Sequence, residues 1–560
     1  MHQRWSVFSR EGKCTVSRRK NGRENVLGRV NPLRIDQHHF LRRLVVAAYV
    51  CAALYFIVVS WKWRLAIDSP VMHYVVFLME HGLKPYSQIS DNNLPGAYLA
   101  EAVGMRLFGS DDLGWRRYEF TLLAVMTLAA ARLARGWDWT AGIFAALLFL
   151  VLHANEGPQY SGERELTLTV LLLLAYAALF AAIDRGEPLW MGAFGLLSGF
   201  AASIKPTYLP LAVALIALAL LVLRRRSQPI LATALYASAG LVLVFSATIA
   251  FLLQQGVLRE FLLITRIVTP AYIALSSTAK DLNLLSHALP HSGFLLVLGT
   301  VPVAIANWHH GDQRNWKQGA LLLGAVSGLF SFYIQHKGFS HHRYTLCVFV
   351  YLLCSIELFR ALQHRSWTRS FASSLILVLI VSSPHALRVA SSWSASSDLE
   401  LSLESDLRRF GEPATLNDQV QCFDLVYGCL NALYHLRVVE NAGFTGDLLF
   451  FSKPPGDATE HYRERYWRLE KVDPPTILVV SNEELLQLNN YDRTERWTEF
   501  ATYLKTDFQE VVQRTFQKEL YGTHLKEAPP TTVPSDGYRI YVRRGSQALS
   551  TWLSSANVLS

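Results

Sequence analysis

Long apolar runs recur through this 560-residue chain, and they constrain its fold more than any other feature. Several of them are near the ~20 residues that a helix needs to cross a bilayer. Hydrophobic residues make up 51% of the chain, which argues against a string of soluble domains. The runs predict about eleven membrane spans. They lie at 44–61, 118–134, 138–153, 166–183, 189–204, 207–223, 231–253, 293–307, 318–334, 344–362 and 371–390.

Basic residues indicate how these spans are oriented, because Arg and Lys concentrate on the cytoplasmic side of membrane helices. Residues 1–40 are polar and basic, which predicts a disordered cytoplasmic N-terminal tail. Alternate joints between spans are also basic, among them Arg132, Arg135 and the run from Arg224 to Arg226. An odd number of spans then places residues 393–560 outside the cytoplasm. The net charge of +9 is explained by these span ends, so no nucleic-acid partner is predicted.

The first outer loop, 64–117, is long and contains two apolar pieces at about 71–81 and 96–108. Each piece is too short to cross a bilayer, and amphipathic pieces of this kind lie along the membrane interface. The sequence therefore predicts two interfacial helices joined by a turn between Pro85 and Pro95. The remaining outer loops are shorter, and the outer loops together hold most of the unusual polar residues of the membrane domain.

The composition changes near residue 393, where charged residues become frequent. Two β-rich stretches predict short strands, and three stretches with helical periodicity predict helices. The strands are Thr476–Val480 and Tyr538–Val542, and the helices are Leu399–Phe410, Tyr462–Lys471 and Phe500–Phe516. The predicted fold is thus an α-helical polytopic membrane protein with a C-terminal soluble α/β domain. Its parts are the tail (1–40), the membrane domain (41–392) and the extracytoplasmic domain (393–560).

Cys422 and Cys429 lie in the C-terminal part of the chain. If this part is outside the cytoplasm, the two residues could form a disulfide. The alternative is a pair of unbonded thiols seven residues apart, and the sequence leaves both open.

Two acidic residues in the first outer loop are candidate catalytic groups. Asp68 follows the first span, where a carboxylate at the membrane boundary is a functional-site hypothesis. Such a carboxylate can act as a general base or hold a divalent cation near a phosphate. Asp91 lies in the turn and is the second candidate for both roles. The alternatives are that Asp68 only ends the span, and that Asp91 forms an Asx turn or caps the next helix.

The second outer loop contains the acidic and basic run Glu163, Arg164 and Glu165. Either glutamate could stabilise the start of the next helix through the helix dipole. Together with Arg164 they could instead form part of a phosphate and metal site, since the guanidinium fork donates two hydrogen bonds to a phosphate.

Cationic residues on the outer face run against the usual charge bias, and they are candidate donor-phosphate ligands. Lys205 lies in a short turn between two spans, where snorkelling to the interface is the alternative explanation. A second group, near 340, contains Lys337, His341, His342 and Arg343. A phosphate-bearing lipid headgroup would explain this group. A histidine-based metal site is also conceivable, although the spacing matches no standard ligand pattern.

Short motifs occupy the predicted outer face. They are Asp68, Gly82–Tyr86 (Gly-x-x-Pro-Tyr), Asp91–Gly96, Leu107–Gly109, Arg116–Arg117, Gly162–Glu165, Lys205–Pro206, Lys337–Tyr344 and Pro474–Val480. Together they resemble the integral-membrane glycosyltransferases of the C superfamily, which include protein O-mannosyltransferases and the aminoarabinose transferase of lipid A. The resemblance covers nearly the whole chain after about residue 40.

The resemblance implies transfer of a sugar from a polyprenyl-phosphate donor to a lipid, glycan or protein acceptor outside the cytoplasm. It implies inversion at the anomeric carbon, with Asp68 as the base or as a metal-linked carboxylate. It also implies a multi-pass protein of a bacterial inner membrane, surrounded by membrane lipids. The charge pattern adds a cytoplasmic N-terminus and an extracytoplasmic C-terminal domain. A divalent metal ion, held by Asp68 and Asp91, is the one cofactor that we consider.

This chain departs from the family pattern at two places. Many relatives have Asp-Glu where this chain has Asp68 and Ser69. The aminoarabinose-transferase branch has Glu-Lys-Pro where this chain has Asn93-Leu94-Pro95. The missing lysine removes an expected phosphate contact, so another cation of the outer face, Arg164, Lys205 or Lys337, would have to substitute for it.

Two other functional classes compete with sugar transfer. A transporter or flippase of a lipid-linked glycan would place charges along a path through the membrane and often shows internal repeats. Here the span centres are nearly free of charge and no repeat is visible. A non-catalytic scaffold would need no carboxylates clustered beside cations. Loss of function on replacing Asp68 alone would separate the enzyme from the scaffold.

Overall fold

The structure is a computed structural model. It describes residues 37–275, 287–308, 315–363, 367–424, 428–452, 455–482, 491–516 and 536–557. Residues 1–36 of the predicted cytoplasmic tail lie outside the described residues, as do the joints at 309–314 and 364–366.

The membrane domain is helical, and a helix is present at each predicted span. In chain order its helices are α1 (Gln37–Ser60), α2 (Asp68–Glu80), α3 (Pro95–Phe108), α4 (Asp112–Ala134), α5 (Trp139–Glu156), α6 (Arg164–Arg185), α7 (Leu189–Ile204), α8 (Leu209–Arg225), α9 (Ile230–Gln255), α10 (Leu258–Leu263), α11 (Thr269–Leu275), α12 (His291–Trp308), α13 (Asn315–Ile334), α14 (Tyr344–Ala361) and α15 (Trp367–Leu387).

Length and composition separate these helices into two classes. Within the described residues, eight segments are long and apolar enough to cross a membrane, and α7 and α12 are shorter apolar helices. Helix α4 begins with charged residues, of which Arg116 and Glu119 form a buried ion pair at 2.7 Å. The membrane character of the chain is therefore confirmed, while the count of about eleven spans stays a prediction.

Helices α7 and α9 approach each other closely through glycines. A Cβ atom on Gly195 would lie 2.2 Å from the carbonyl oxygen of Ala237, and one on Gly240 would lie 2.5 Å from that of Gly192. Small residues of this kind let membrane helices pack backbone against backbone. The pair forms one side of an apolar groove described below.

The C-terminal domain is a small mixed sheet with helices around it. Its elements are α16 (Asp398–Arg408), β1 (Val420–Phe423), α17 (Cys429–Leu436), α18 (Asp457–Glu470), β2 (Ile477–Asn482), α19 (Thr498–Asp507), β3 (Phe508–Phe516), β4 (Asp536–Arg543) and α20 (Gln547–Asn557). The strand order is β1-β2-β4-β3. Strand β1 runs parallel to β2, with Val420 opposite Ile477, and the other pairs are antiparallel.

Two sequence expectations for this domain are settled by the structure. Cys422 and Cys429 form a disulfide, with Cα atoms 5.9 Å apart, within the usual range. The helix predicted for Phe500–Phe516 is wrong in its second half, where β3 begins at Phe508 and pairs with β4. Tertiary pairing overrides a local helical pattern here, because β3 completes the edge of the sheet.

The first outer loop has the predicted helix–turn–helix shape, but its two helices differ in exposure. Helix α3 exposes Leu99, Val103 and Leu107 at four-residue spacing, which suits a membrane interface. Helix α2 is buried along most of its length, because it packs against α3 and α17. The hydroxyl of Tyr74 on α2 donates to the Val438 carbonyl oxygen at 2.9 Å. The C-terminal domain thus covers the loop that carries the candidate catalytic residues.

Candidate active site

Asp68 is the first residue of α2, and the backbone before it is strained. Ile67 has φ 58°, in the left-handed region that β-branched residues rarely adopt. Strain of this kind persists only where the surrounding structure over-determines it, and it clusters at functional sites. The hydroxyl of Ser69 donates to the carbonyl oxygen of Ser161 at 3.0 Å, so α2 is fastened to the second outer loop.

The second outer loop and the loop near 340 bring further groups to Asp68. A carboxylate oxygen of Asp68, one of Glu163 and a ring nitrogen of His341 all lie within 4.8 Å of one another. Burial raises the pKa of Asp68, while the charges of Arg164 and Lys337 lower it by a smaller amount. Asp68 is therefore a partly buried carboxyl with a raised pKa, surrounded by both signs of charge.

Glu163 and Glu165 flank the start of α6 and have different partners. Glu163 precedes the helix but makes no capping hydrogen bond, and its Oε1 atom has no partner among the described residues. Burial raises the pKa of Glu163, and the neighbouring Asp68 and Glu165 raise it further. Glu165 instead accepts a hydrogen bond from Lys205 Nζ at 2.8 Å. The ammonium group of Lys205 thus lies in the site, where it pairs with the Glu165 carboxylate.

Asp91 reaches the site through other side chains. Its carboxylate accepts hydrogen bonds from the Asn93 amide at 2.9 and 3.0 Å and from the Tyr98 hydroxyl at 3.0 Å. The Asn93 side-chain oxygen in turn accepts from Arg164 Nη1. Residue Leu94, and not Asp91, is the N-cap of α3. The arrangement links Asp91, Asn93 and Arg164 in one chain of hydrogen bonds.

Lys337 lies in the loop between α13 and α14. Its Nζ atom is 3.8 Å from the centroid of the Tyr272 ring, a cation–π geometry. Burial lowers the pKa of Lys337 to about 8, although Asp68 acts in the opposite direction. A poorly solvated cation beside an acidic cluster is well placed to bind an anionic ligand.

In the predicted cationic group near residue 340, the two histidines and Arg343 have different surroundings. His341 and His342 are buried, and neither ring nitrogen of His341 has a hydrogen-bond partner among the described residues. Arg343 Nη2 instead pairs with Glu156 at 2.8 Å. The structure therefore brings the two histidines to the acidic cluster and gives Arg343 a different carboxylate partner.

Two overlapping groups in the site could hold a cation. They are Asp68 with Glu163 and His341, and Glu165 with His341 and His342, with donor atoms within 4.8 Å in each group. Asp91 is in neither group, and the predicted pairing of Asp68 with Asp91 around a metal stays a prediction. The orphaned atoms of Glu163 and His341 fit a cation, since buried polar groups are normally paired.

An apolar groove of 580 Å³ lies between α2, α3, α7 and α9. Its walls include Val76, Leu99, Phe200, Val244 and Phe251. Tyr98 and Ser203 also line it. Tyr98 donates to Asp91 and Ser203 lies two residues before Lys205, so this part of the groove wall adjoins residues of the polar cluster.

Sequence reasoning missed some members of the site. In the sequence Asn93 stands out only as a departure from a motif, and no pattern singles out Tyr272. Tyr272 lies on α11, and its contact with Lys337 joins residues far apart in the chain. The histidine spacing gave no metal signal, because the acidic partners of His341 come from other loops. A sequence pattern reports neighbours within one element, and these contacts join different elements.

Part of the sequence matches a known protein family, and the fold is similar to solved structures. Residues 92–253, less than a third of the chain, match the family model described as dolichyl-phosphate-mannose-protein mannosyltransferase. The fold is similar to the crystal structure of ArnT from Cupriavidus metallidurans bound to undecaprenyl phosphate. That similarity has 12% identity and a TM-score of 0.53, and it covers 90% of this chain and 98% of ArnT.

A second structure is less similar. It is the archaeal oligosaccharyltransferase AglB from Archaeoglobus fulgidus in complex with an inhibitory peptide and a dolichol-phosphate, with 11% identity and a TM-score of 0.46. It covers 90% of this chain and 77% of AglB. No curated protein matches the sequence. The family match and the ArnT-like fold confirm that this chain resembles the integral-membrane glycosyltransferases of the C superfamily.

Proposed function

We propose that this chain is a membrane glycosyltransferase that moves a sugar from a polyprenyl-phosphate donor to an acceptor outside the cytoplasm. The observation that carries the proposal is the group of carboxyls, cations and buried histidines around Asp68, which adjoins an apolar groove through Tyr98. The mannosyltransferase family match and the undecaprenyl phosphate bound to ArnT support the same substrate class.

The groove and the cations suit the two parts of such a donor. The apolar walls between α3 and α9 would take the isoprenoid tail, since burial of hydrocarbon is favourable by about 0.8 kcal/mol per CH₂. Arg164 and Lys337 would bind the phosphate, and Lys205, which pairs with Glu165, would lie beside them with His341 and His342. Arg343 lies with Glu156, so a direct phosphate contact from Arg343 has less support.

Asp68 is the proposed base or metal-linked carboxylate. As the acceptor oxygen or nitrogen attacks the anomeric carbon, its proton would pass to an Asp68 oxygen. The bond between that carbon and the phosphate oxygen breaks on the opposite face, which inverts the anomeric centre. The polyprenyl phosphate leaves with the bonding electrons, and its negative charge is stabilised by Arg164 and Lys337. A raised pKa makes Asp68 a better proton acceptor than an ordinary carboxylate.

Asp91 has a different proposed role. Its oxygens bind Asn93 and Tyr98, so it would position Arg164 through Asn93. This arrangement also bears on the departure from the family motif, in which Asn93-Leu94-Pro95 stands in place of Glu-Lys-Pro. The expected lysine is missing at Leu94, and Arg164 reaches the neighbouring Asn93 from the second loop. Arg164 would therefore supply the phosphate contact that the missing lysine removes.

A divalent cation fits the orphaned donors of the site. Asp68, Glu163 and His341 would hold it, and when bound it would neutralise charge on the departing phosphate. A bound cation would also keep Glu163 ionised, against the effect of its acidic neighbours. Loss of activity with EDTA, restored by one added divalent metal, would test this assignment.

The proposed orientation places the site and the C-terminal domain (393–560) outside the cytoplasm of a bacterial inner membrane. The N-terminal tail (1–40) would be cytoplasmic, and the membrane domain would occupy 41–392. The disulfide between Cys422 and Cys429 supports this orientation, because disulfides persist mainly in oxidising compartments.

Donor turnover tests the proposed function. The purified chain would be supplied with a panel of polyprenyl-phosphate sugars and with bacterial envelope lipids, glycans and proteins as acceptors. Mass spectrometry would follow free polyprenyl phosphate and the glycosylated acceptor, with heat-denatured protein as the control. Formation of both products from one donor is expected. If no donor in a panel covering hexoses and pentoses is consumed, the proposed function is wrong.

A further inference from the structure

Ser90, in the turn between α2 and α3, is bound to the C-terminal domain through all of its polar groups. Its N–H donates to the Gly443 carbonyl oxygen at 2.7 Å, and its own carbonyl oxygen accepts from Thr445 Oγ1 at 2.7 Å. Its side-chain oxygen accepts from Arg465 Nη1 on α18. We call this set of contacts the Ser90 clamp.

The clamp is adjacent to the hydrogen-bond chain of the site. Ser90 is covalently joined to Asp91, which holds the Asn93 amide. Asn93 in turn accepts from Arg164, the proposed phosphate ligand. A displacement of Ser90 would therefore move Asp91 and change the position of the Arg164 guanidinium.

The backbone of the clamp leaves no room for adjustment. Gly443 has φ +64°, and a Cβ atom there would lie 2.3 Å from the Gln88 carbonyl oxygen. The Cβ atom would be fixed to the Gly443 backbone, and the Gln88 carbonyl is part of the backbone. Neither can rotate away as the end of a flexible side chain would. The position requires glycine for its conformation and for the close approach.

Arg465 is unusual for an arginine at a domain interface. Its guanidinium lies over the Phe444 ring, 5.0 Å from the centroid, and Nη2 is buried with no hydrogen-bond partner among the described residues. Burial lowers the pKa of Arg465 to about 10. No carboxylate pairs with it among the described residues, and a desolvated unpaired cation is costly, so domain stability alone gives a poor reason for it.

We propose that the C-terminal domain positions Arg164 for lipid-phosphate binding, through the contacts of Gly443, Thr445 and Arg465 with Ser90. The inference rests on the proposed function, because it takes Arg164 as a phosphate ligand. It assigns the C-terminal domain a part in forming the site, beyond covering it, and makes Arg465 a positioning residue on α18.

The test measures binding of undecaprenyl phosphate to the full-length chain in detergent by native mass spectrometry. Gly443→Ala breaks the clamp, and Gly456→Ala is the matched control, since a Cβ at Gly456 meets nothing within 4 Å. The Kd should rise at least about fivefold in Gly443→Ala, the lower end of typical coupling between sites. Gly456→Ala should bind as wild type does.

A double-mutant cycle separates positioning from general damage. If the clamp acts through Arg164, Gly443→Ala should add nothing to the loss already caused by Arg164→Ala. Ser90→Ala, which keeps both backbone contacts and removes the hydroxyl that meets Arg465 and Tyr462, gives a second variant if Gly443→Ala does not fold. It should weaken binding in the wild-type background and leave Arg164→Ala unchanged.

The outcomes distinguish the two proposals. Weaker binding by Arg164→Ala, with normal binding by folded Gly443→Ala and Ser90→Ala, would overturn the clamp alone. Losses that add in the double variants would also overturn it, since they would show an effect independent of Arg164. If wild type does not bind, or if Arg164→Ala binds equally well, the assigned role of Arg164 fails and the clamp proposal fails with it.

Discussion

Lys337 is held beside Asp68 and Tyr272 with little access to water, and this sets a pH limit on the site. Its pKa is lowered to about 8 by burial. A lysine binds phosphate only when protonated, so activity should fall as the pH rises through about 8. Lys337→Arg keeps the charge at higher pH, because a guanidinium stays protonated there. The descending limb of the pH–rate profile should therefore move to higher pH.

The control for this prediction is Lys317→Arg. Lys317 lies on α13 and pairs with Asp184, away from the proposed phosphate ligands. Its substitution should leave the descending limb where wild type has it. An unchanged limb in Lys337→Arg would show that Lys337 does not bind the donor phosphate.

Sequence alone predicted many of the site's charged residues, because charge at the outer end of a span is costly and stands out against apolar surroundings. Asp68, Glu163 and Lys205 were found in this way. Their partnerships were not predictable. The Lys205–Glu165 contact and the Asn93–Arg164 contact depend on how separate loops pack, and no spacing within one loop reports that.

At the scale of elements, α3 and α7 meet at a contact that tolerates no added atom. A Cβ on Gly96 would lie 2.1 Å from Ser203 Oγ and 2.6 Å from the Ser203 carbonyl carbon. Gly96→Ala should destabilise the protein by about 1–3 kcal/mol, the usual cost of overpacking. A lower midpoint of thermal unfolding in detergent would show this.

Gly319→Ala is the matched control, because Gly319 also lies in a helix and a Cβ there meets nothing within 4 Å. It should equal or exceed wild type in stability, since alanine favours the helix. If both substitutions behave alike, the α3–α7 contact is looser than the structure indicates.

Helices α16 and α17 hold the C-terminal domain to the membrane domain through an ionic cluster. His435 lies 3.1 Å from Asp112, 2.7 Å from Glu400 and 3.4 Å from Glu404. Arg64 also faces this cluster, 2.7 Å from Glu404. Burial lowers the pKa of His435, but the carboxylates outweigh it and raise the pKa to about 11.

This shift predicts how stability depends on pH. The folded state keeps the His435 proton up to about 11, whereas the unfolded chain releases it near 6.5. The stabilisation is complete below pH 6.5 and is lost as the pH rises above it, by up to about 1.4 kcal/mol per unit. His435→Gln should flatten the decline in melting temperature between pH 6.5 and 9. The exposed His81→Gln should retain the wild-type slope.

The type of an element was predictable from the sequence where a long apolar pattern determined it. The prediction failed where pairing with another strand determined the structure. The apolar runs of α6 and α14 predicted helices. The stretch after Phe508 also fitted a helix, yet it forms an edge strand through its contacts with β4. Burial of α2 was likewise hidden, because its cover comes from α17, far along the chain.

At the scale of the whole molecule, the proposed orientation puts the charged cluster and the C-terminal domain outside the cytoplasm. The proposed orientation predicts that an impermeant maleimide reaches Val472→Cys in intact cells, since Val472 is 83% exposed. Ser227→Cys, in a basic joint, should react only after permeabilisation. The labelling of the unsubstituted chain, which has its own free cysteines, is subtracted as background. The reverse pattern would place the site in the cytoplasm.

The most direct test of the account is the effect of single carboxylates on donor turnover. The release of free polyprenyl phosphate from the active donor would be measured for wild type, Asp68→Asn and Asp91→Asn at matched protein levels. Asp68→Asn should lose at least about 10²-fold in rate, as expected when a general base is removed. Asp91→Asn should mainly raise the KM for the donor. Equal rates for wild type and Asp68→Asn would contradict the central claim.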